Sequence, residues 1–220
     1  MESMTYTVKE IFLTLQGEGV HTGRRAVFCR FVGCNLWSGR ERDRSVAVCS
    51  FCDTDFIGTD GIGGGRFEGA KALAQAIATA WNEALESDLE SSGVPYVVFT
   101  GGEPALQLDG ALVEACHAHG FEVGVETNGT KSLPEGVDWV CVSPKSGAPM
   151  QLTSGDELKV VIPQQDLGLD GLEEMEFSHF FVQPMDGPHL SRNMGLAVEH
   201  CMRNPKWRLS LQTHKLVGIP

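Results

Sequence analysis

No apolar run in the 220 residues approaches the ~20 that a membrane-crossing helix needs. The opening stretch, residues 1–15, lacks a basic segment followed by an apolar core, so the sequence predicts no secretion signal and a cytoplasmic protein. Positive charge is scarce. Lysine and arginine total 17 against 29 acidic residues, a formal net charge of −12, and no basic stripe suited to a polyanion is present. The densest basic stretch, residues 40–44, alternates in sign and reads as a solvated loop. A small-molecule substrate is therefore expected, with no nucleic acid and no membrane as partner. Repeats and low-complexity tracts are also missing. The chain, 42% hydrophobic and 21% charged, is ordinary for a globular protein, and 1–220 is expected to form one domain with a sizeable core.

What is present alternates between two periods. Short apolar runs at 25–32, 95–100, 121–126, 138–143, 157–162, 179–183 and 207–212 read as strands covered on both faces. Helical spacing is clearest over 69–89, where Leu73, Ile77, Trp81, Leu85 and Leu89 recur every four residues. Further helices are expected over 105–119 and over 191–202, the last with Ser191 as N-cap and Pro205 beyond its end. Strands alternating with helices predict a parallel α/β sheet or barrel. The segments 128–137 and 144–156 are too short and irregular for crossover helices. The expected fold is thus an incomplete, helix-poor (βα) barrel of about six parallel strands. Polar motifs follow five of those strands, where ligands of such sheets collect. They are Thr100 to Pro104, Glu126 to Thr130, Ser143 to Lys145, Gln183 to Asp186, and Gln212 to Lys215.

Seven cysteines in a chain expected to be cytoplasmic argue against a disulfide framework. Cys29, Cys116, Cys141 and Cys201 sit in apolar stretches and read as small buried hydrophobes. Cys34, Cys49 and Cys52 are grouped, the last two as a CxxC. A structural zinc site wants four protein ligands, and only the distant His21 could be the fourth. An iron–sulfur cluster on three thiolates would keep one iron open. The residues alone favour metal, and iron–sulfur over zinc. Gly61 to Gly65 lacks the strand and Lys-Ser/Thr of a phosphate loop and reads as a flexible loop. His117 and His119 cannot share a helix face and read as surface residues.

The three cysteines, Phe51 before the last of them, and the Gly101-Gly102-Glu103-Pro104 string resemble the radical S-adenosylmethionine (SAM) superfamily. Fourteen residues separate Cys34 from Cys49, where that superfamily usually has three. Leu15 to Gly19, Arg30 to Leu36, Cys52 to Thr54, Glu126 to Gly129, Ser143 to Lys145 and Gln212 to Lys215 narrow the resemblance to the 7-carboxy-7-deazaguanine synthases of deazapurine (queuosine) biosynthesis.

That resemblance implies a lyase with a 4Fe-4S cluster, SAM and Mg²⁺. It implies C6 hydrogen abstraction from 6-carboxy-5,6,7,8-tetrahydropterin, ring contraction and loss of ammonia. It also implies a homodimer and a flavodoxin-like electron donor. Cys34, Cys49 and Cys52 would hold the cluster, and Thr54 the Mg²⁺. Phe51, Gly101, Gly102, Glu103, Asn128, Ser143, Pro144, Lys145, Gln183, Pro184, Met185 and Asp186 would line SAM. In that role the glycine pair would let the backbone approach the methionine part, and Glu103 would accept from its ammonium. Leu15, Gln16, Gly17, Glu18, Arg30, Thr100, Glu126, His214 and Pro220 would hold the pterin, Arg30 by a bidentate grip on its carboxylate. The insertion 38–48 is expected to be a lid that positions Cys34. Two other readings remain. One is a glycyl-radical activating enzyme, which would share the Gly-Gly-Glu-Pro string. The other is a zinc-binding scaffold.

Overall fold

The computed structural model describes residues 4–83 and 93–220. In chain order its elements are β1 (Thr5–Leu15), β2 (Arg25–Phe31), β3 (Gly65–Glu68), α1 (Ala70–Glu83), β4 (Tyr96–Gly101), α2 (Gly110–Ala118), β5 (Glu122–Thr127), β6 (Trp139–Val142), β7 (Ser154–Ile162), β8 (Glu176–Pro184), α3 (Leu190–Arg203), β9 (Trp207–Leu209) and α4 (Thr213–Val217). All nine strands belong to one sheet, ordered β3-β1-β2-β4-β5-β6-β7-β8-β9. From β2 to β9 every neighbouring pair is parallel, whereas β1 runs antiparallel to both β2 and β3.

Side chains alternate across a pleated strand, so each face of the sheet is written at every second residue. On β2, Val27, Cys29 and Phe31 enter one core with Leu73, Ile77 and Trp81 of α1 and Leu112, Val113 and Cys116 of α2. On β7, Leu158 and Val160 pack with Val182, Trp207 and Ala197 of α3. Their in-between neighbours Phe28, Arg30, Lys159 and Val161 face a cavity on the opposite side. The strands are therefore not clad by helices on both faces. One face carries α1, α2 and α3, and the other is a polar hollow with a small apolar plug of Ala26, Tyr96 and Val98 beneath it.

The fold is α/β, helix-poor and mostly parallel, but it has seven parallel strands and two antiparallel ones rather than about six strands in all. A register shift between Val8 and Glu10 breaks the alternation of β1 and hides it from a period-two reading. The four-residue β3 begins at Gly65, so the glycine run 61–65 is not a free loop. Gly61 donates to the Lys9 carbonyl at 3.1 Å and Ile62 accepts from Ile11 at 2.7 Å, and a side chain at Gly64 would overlap the Lys9 backbone. The helix expected over 105–119 starts later. Gln107 turns aside to bind Thr7 and the Val32 carbonyl, and Asp109 then caps α2 through Leu112 N at 2.9 Å. The N-cap of α3 is His189 rather than Ser191 and uses no side-chain bond. Of the pattern over 69–89, residues beyond Glu83, including Leu85 and Leu89, lie outside the described residues. No helix joins β5 to β6 or β6 to β7.

The connection between β1 and β2 reaches the far end of the sheet. Gly17 O accepts from both Thr213 N and Thr213 Oγ1 at 2.9 Å, and Gly19 N donates to Ser210 Oγ at 3.1 Å. Val20 N donates to Glu157 Oε2 at 3.0 Å, and Gly19, at φ +64°, lies so close to that carboxylate that a Cβ would overlap it. Residues before β2 thus touch residues after β9 although eight strands lie between them in the chain.

Candidate active site

The hollow face holds a cavity of about 430 Å³ that opens at the C-terminal ends of the parallel strands. Cys49, Phe51, Cys52 and Thr54 border it on one side, Gly101, Gly102, Asn128, Ser143 and Lys145 in the middle, and Gln183, Pro184, Met185 and Asp186 further round. Leu15, Gln16, Gly17, Glu18, Arg30, Thr100, Glu126, His214 and Pro220 complete the wall. Cys34, Glu103 and Pro144 do not border it.

The insertion brings the cysteines together by pinching off at its base. Leu36 O accepts from Val48 N at 3.1 Å and from Cys49 N at 3.3 Å, so Cys34 and Cys49 become neighbours despite the intervening chain. Within the insertion a single 3-10 stretch, Glu41–Val46, presents Arg44. Its guanidinium lies 4.1 Å over the Trp37 ring and donates to the carbonyls of Ser50 at 2.9 Å and Cys52 at 3.0 Å. A hydrogen bond from Cys49 lowers the Cys52 thiol to about 6, while the same bond and burial push Cys49 up. Burial raises Cys34, which accepts from Leu36 N at 3.4 Å. Three thiols, Cys49 buried and Cys34 and Cys52 part-buried, with the Lys145 ammonium near Cys49 and Cys52, form a donor set suited to an iron–sulfur cluster. Among the described residues no three His, Cys, Asp or Glu side chains converge on one point as single-ion ligands would. His21 stands apart, packed between Tyr96 and Trp139.

Gly101 and Gly102 are required by the protein itself. Gly101 has φ +137° and a Cβ there would overlap Phe31; one on Gly102 would overlap Gly33 and crowd Cys34. The pair thus seats Cys34 against the end of β4. Glu103 is completely buried, and its carboxylate accepts from Thr127 Oγ1 at 2.6 Å, Asn128 N at 2.8 Å and Ala105 N at 3.0 Å. Those bonds tie β4 to β5 and leave one acceptor position on Oε2, while burial raises its pKa. Lys145 donates to Ser143 O at 2.8 Å and Oγ at 2.6 Å, and burial lowers its pKa. Among the described residues it meets no carboxylate within ion-pair distance, which leaves its charge for an anion in the cavity.

Across the cavity, Lys159 bridges Glu18 at 2.6 Å and Glu126 at 2.7 Å while only 2% exposed. Burial works against this ammonium, but Cys141 and the carboxylates of Glu126, Glu18 and Glu157 outweigh it and hold its pKa well above the ordinary range. Burial would raise Glu18, yet Lys159 and a bond from Gln212 at 3.0 Å keep it lowered. Gln16 Nε2 donates to Glu126 Oε1 at 2.9 Å, so amide, carboxylates and ammonium form one alternating row of donors and acceptors. Arg30 gives its Nε to Glu10 at 2.7 Å, which leaves the outer edge of its guanidinium for a ligand. The His214 ring lies against Gly17 where any Cβ would stand.

Sequence reasoning missed Lys9 and Lys159 as parts of this site, and it placed Gln212 and Lys215 in a strand-end motif without giving either a role. Lys9 holds the segment after Cys52 to β1 through Asp55 at 2.9 Å and Asp60 at 2.7 Å. Lys215 joins Asp53 and Asp186, each at 2.6 Å, and so ties α4 both to the cysteine loop and to the end of β8. A signal existed for Lys159, since a lysine between Leu158 and Val160 in a buried strand needs a partner.

No family model matches the chain. Curated relatives do. A 7-carboxy-7-deazaguanine synthase of Bordetella pertussis is 58% identical over 99% of this chain and 100% of its own length, and one of Bradyrhizobium diazoefficiens is 56% identical over 98% and 100%. One of Bacteroides thetaiotaomicron is 41% identical over 98% and 100%. Among solved structures, that of QueE from Escherichia coli superposes with a TM-score of 0.62 over 94% of each chain at 25% identity.

Proposed function

The chain belongs to the 7-carboxy-7-deazaguanine synthase family, and from that premise we propose that its cavity converts 6-carboxy-5,6,7,8-tetrahydropterin to 7-carboxy-7-deazaguanine with loss of ammonia, as a radical SAM lyase of queuosine biosynthesis. The observation that carries this reading is one cavity with grouped thiols on one side and the Gln16, Glu126, Glu18 and Lys159 row on the other. When bound, the cluster and SAM supply the radical that takes the C6 hydrogen.

Cys34, Cys49 and Cys52 hold the 4Fe-4S cluster, with Arg44 fixing the loop between the last two. Lys145 and Ser143 bind the carboxylate and hydroxyl groups of SAM, while Phe51, Asn128, Gln183, Pro184, Met185 and Asp186 shape its remaining wall. The backbone of Gly101 and Gly102 faces the same ligand. Glu103 and Pro144 act from behind, by holding β4 against β5 and by setting the turn before Lys145. On the pterin, a flat ring with donors and acceptors along one edge matches Gln16, Glu18 and Glu126, and Arg30 and His214 reach its carboxylate and opposite face. Leu15, Gly17, Thr100 and Pro220 close the space around it. Thr54 beside Cys52 offers a hydroxyl to Mg²⁺, with substrate oxygens and water completing the shell.

The contacts of Gly17 and Gly19 with Thr213 and Ser210 support an incomplete barrel whose open side is bridged by a loop. The whole of 1–220 acts as one domain, a homodimer in the cytoplasm, reduced by a flavodoxin-like donor, with 38–48 covering the cluster. The test is anaerobic turnover of reconstituted protein with dithionite, SAM, Mg²⁺ and the tetrahydropterin, read by mass spectrometry. Formation of 7-carboxy-7-deazaguanine that vanishes in Cys52→Ala is the expected result. Deoxyadenosine without that product would refute the substrate, and neither product from cluster-loaded protein would refute the reaction.

A further inference from the structure

Behind the wall formed by Gln16, Glu18 and Glu126 lies a second, much smaller cavity of about 10 Å³, room for one water molecule. The same three residues border both spaces. Its other walls include His21, Tyr96, Trp139, Cys141 and Glu157. Two polar features there have no use in the site described above. His21 Nε2 is buried and finds no hydrogen-bond partner among the described residues. Glu157 is 3% exposed and has a carboxylate that accepts only from Val20 N at 3.0 Å and the weak Cys141 thiol at 3.5 Å. The His21 ring as a whole is half-buried, so it touches both this cavity and the outer surface.

We propose that His21, a water molecule in this small cavity and Glu157 form a proton relay between solvent and Glu126, serving the ammonia-releasing half of the reaction. The inference rests on the function proposed above, whose chemistry calls for such a path. In the elimination a ring C–H bond breaks, its electron pair becomes the new C=C bond, and the C–N bond breaks with its pair on nitrogen. The proton released from carbon is passed to that nitrogen, which leaves as ammonia. At neutral pH the ammonia takes another to become ammonium, so one proton per turnover is drawn from water. No oxidant or reductant enters this half-reaction. Glu126 stands in the cavity wall with Lys159 and Gln16 on its two oxygens, and the small cavity opens a route to it that does not cross the ligand space.

The surroundings suit a carrier of protons. Burial and Arg24 lower the pKa of His21, with Glu122 and Asp156 opposing and His179 adding to the lowering, so the imidazole is neutral and can both accept and donate. Burial raises Glu157 despite Lys159. Tyr96, the remaining titratable group against the ring, is pushed far up by burial and stays a neutral phenol.

The experiment compares cluster-loaded wild type with His21→Phe, which keeps an aromatic ring between Tyr96 and Trp139, and with His21→Ala. In both, kcat for ammonia and product is expected to fall about a hundredfold, the lower end of general acid–base effects. The KM for the pterin, iron content and C6 deuterium transfer into SAM should be unchanged. Added imidazole should restore His21→Ala, whereas pyrazole, of the same shape but far less basic, should not. Full turnover in His21→Phe, or equal rescue by pyrazole, overturns the relay. Absence of product from the wild type itself would instead refute the proposed function.

Discussion

Replacing Lys159 with methionine removes the cation that two buried carboxylates share. The methionine matches the stem in volume, so packing around Leu158 and Val160 is conserved and the perturbation is electrostatic. Glu18 and Glu126 have side chains only 14% and 22% exposed, so neither can recover its hydration in place. Removing one member of a buried ion pair typically costs about 3–5 kcal/mol. At about 3 °C per kcal/mol for a chain of this size, the melting temperature should fall by roughly 10–15 °C at pH 7.5. The sign with pH follows from the direction of the Glu18 shift. Its folded pKa is lowered, so in the wild type its stabilisation is full above the unfolded value of about 4.3 and is lost as pH falls through the folded one. Without the ammonium, burial raises Glu18 instead, and acid then relieves the variant by protonating it. The gap between the two proteins should narrow steadily from neutral pH toward pH 5. Adding Glu18→Gln and Glu126→Gln should recover most of the loss. Anaerobic thermal unfolding followed by circular dichroism measures all three proteins. A gap under about 2 °C, or one indifferent to pH, would refute the reasoning.

Gly102→Ala places a methyl group where Gly33 and Cys34 already lie, so iron content after reconstitution should fall by at least half while Gly110→Ala, whose Cβ would meet nothing, binds iron normally. Arg44→Met frees the carbonyls of Ser50 and Cys52, and loss of the cluster's visible absorbance to a chelator should become about tenfold faster, in keeping with charge-assisted bonds of roughly 1.5–3 kcal/mol partly discounted for exposure. Lys215→Met should raise the KM for the pterin about three- to tenfold with a smaller effect on kcat, because α4 loses its tie to Asp53 and Asp186; steady-state kinetics with an unchanged KM would rule this out.

Much of the site was legible because its chemistry needs unusual residues in short strings. Three grouped cysteines, two glycines before Glu103, and polar runs after apolar ones mark strand ends without any knowledge of the sheet. What could not be seen is whatever depends on two distant segments meeting. The glycines at 101 and 102 looked like a cradle for a ligand, yet their nearest obstacle is the chain around Phe31 and Gly33. Glu103 reads as a strand-end carboxylate, and the three bonds it accepts from Thr127, Asn128 and Ala105 join segments that only the fold brings together. Lys159 reads as an ordinary strand residue, and the partners of Lys215 stay hidden, until β5, β8 and the cysteine loop come round to meet them. The two antiparallel strands escaped for a local reason. β1 loses its alternation at a bulge, and β3 is only four residues long.

The carbonyl of Leu36, by accepting from both Val48 and Cys49, separates the geometry of the thiols from the number of residues between them. Whatever is strung between Leu36 and Val48 hangs from a fixed neck. Since doubling the length of a flexible loop adds only about 0.6 kcal/mol to its closure, the segment can lengthen or shorten at little cost to the thiol geometry so long as Arg44 keeps its place against Ser50 and Cys52. The spacing of the cysteines is then a poor signature of the cluster, and the neck is the better one. It also makes this segment the part of the protein most free to acquire a new surface, a few residues from its most oxygen-sensitive chemistry.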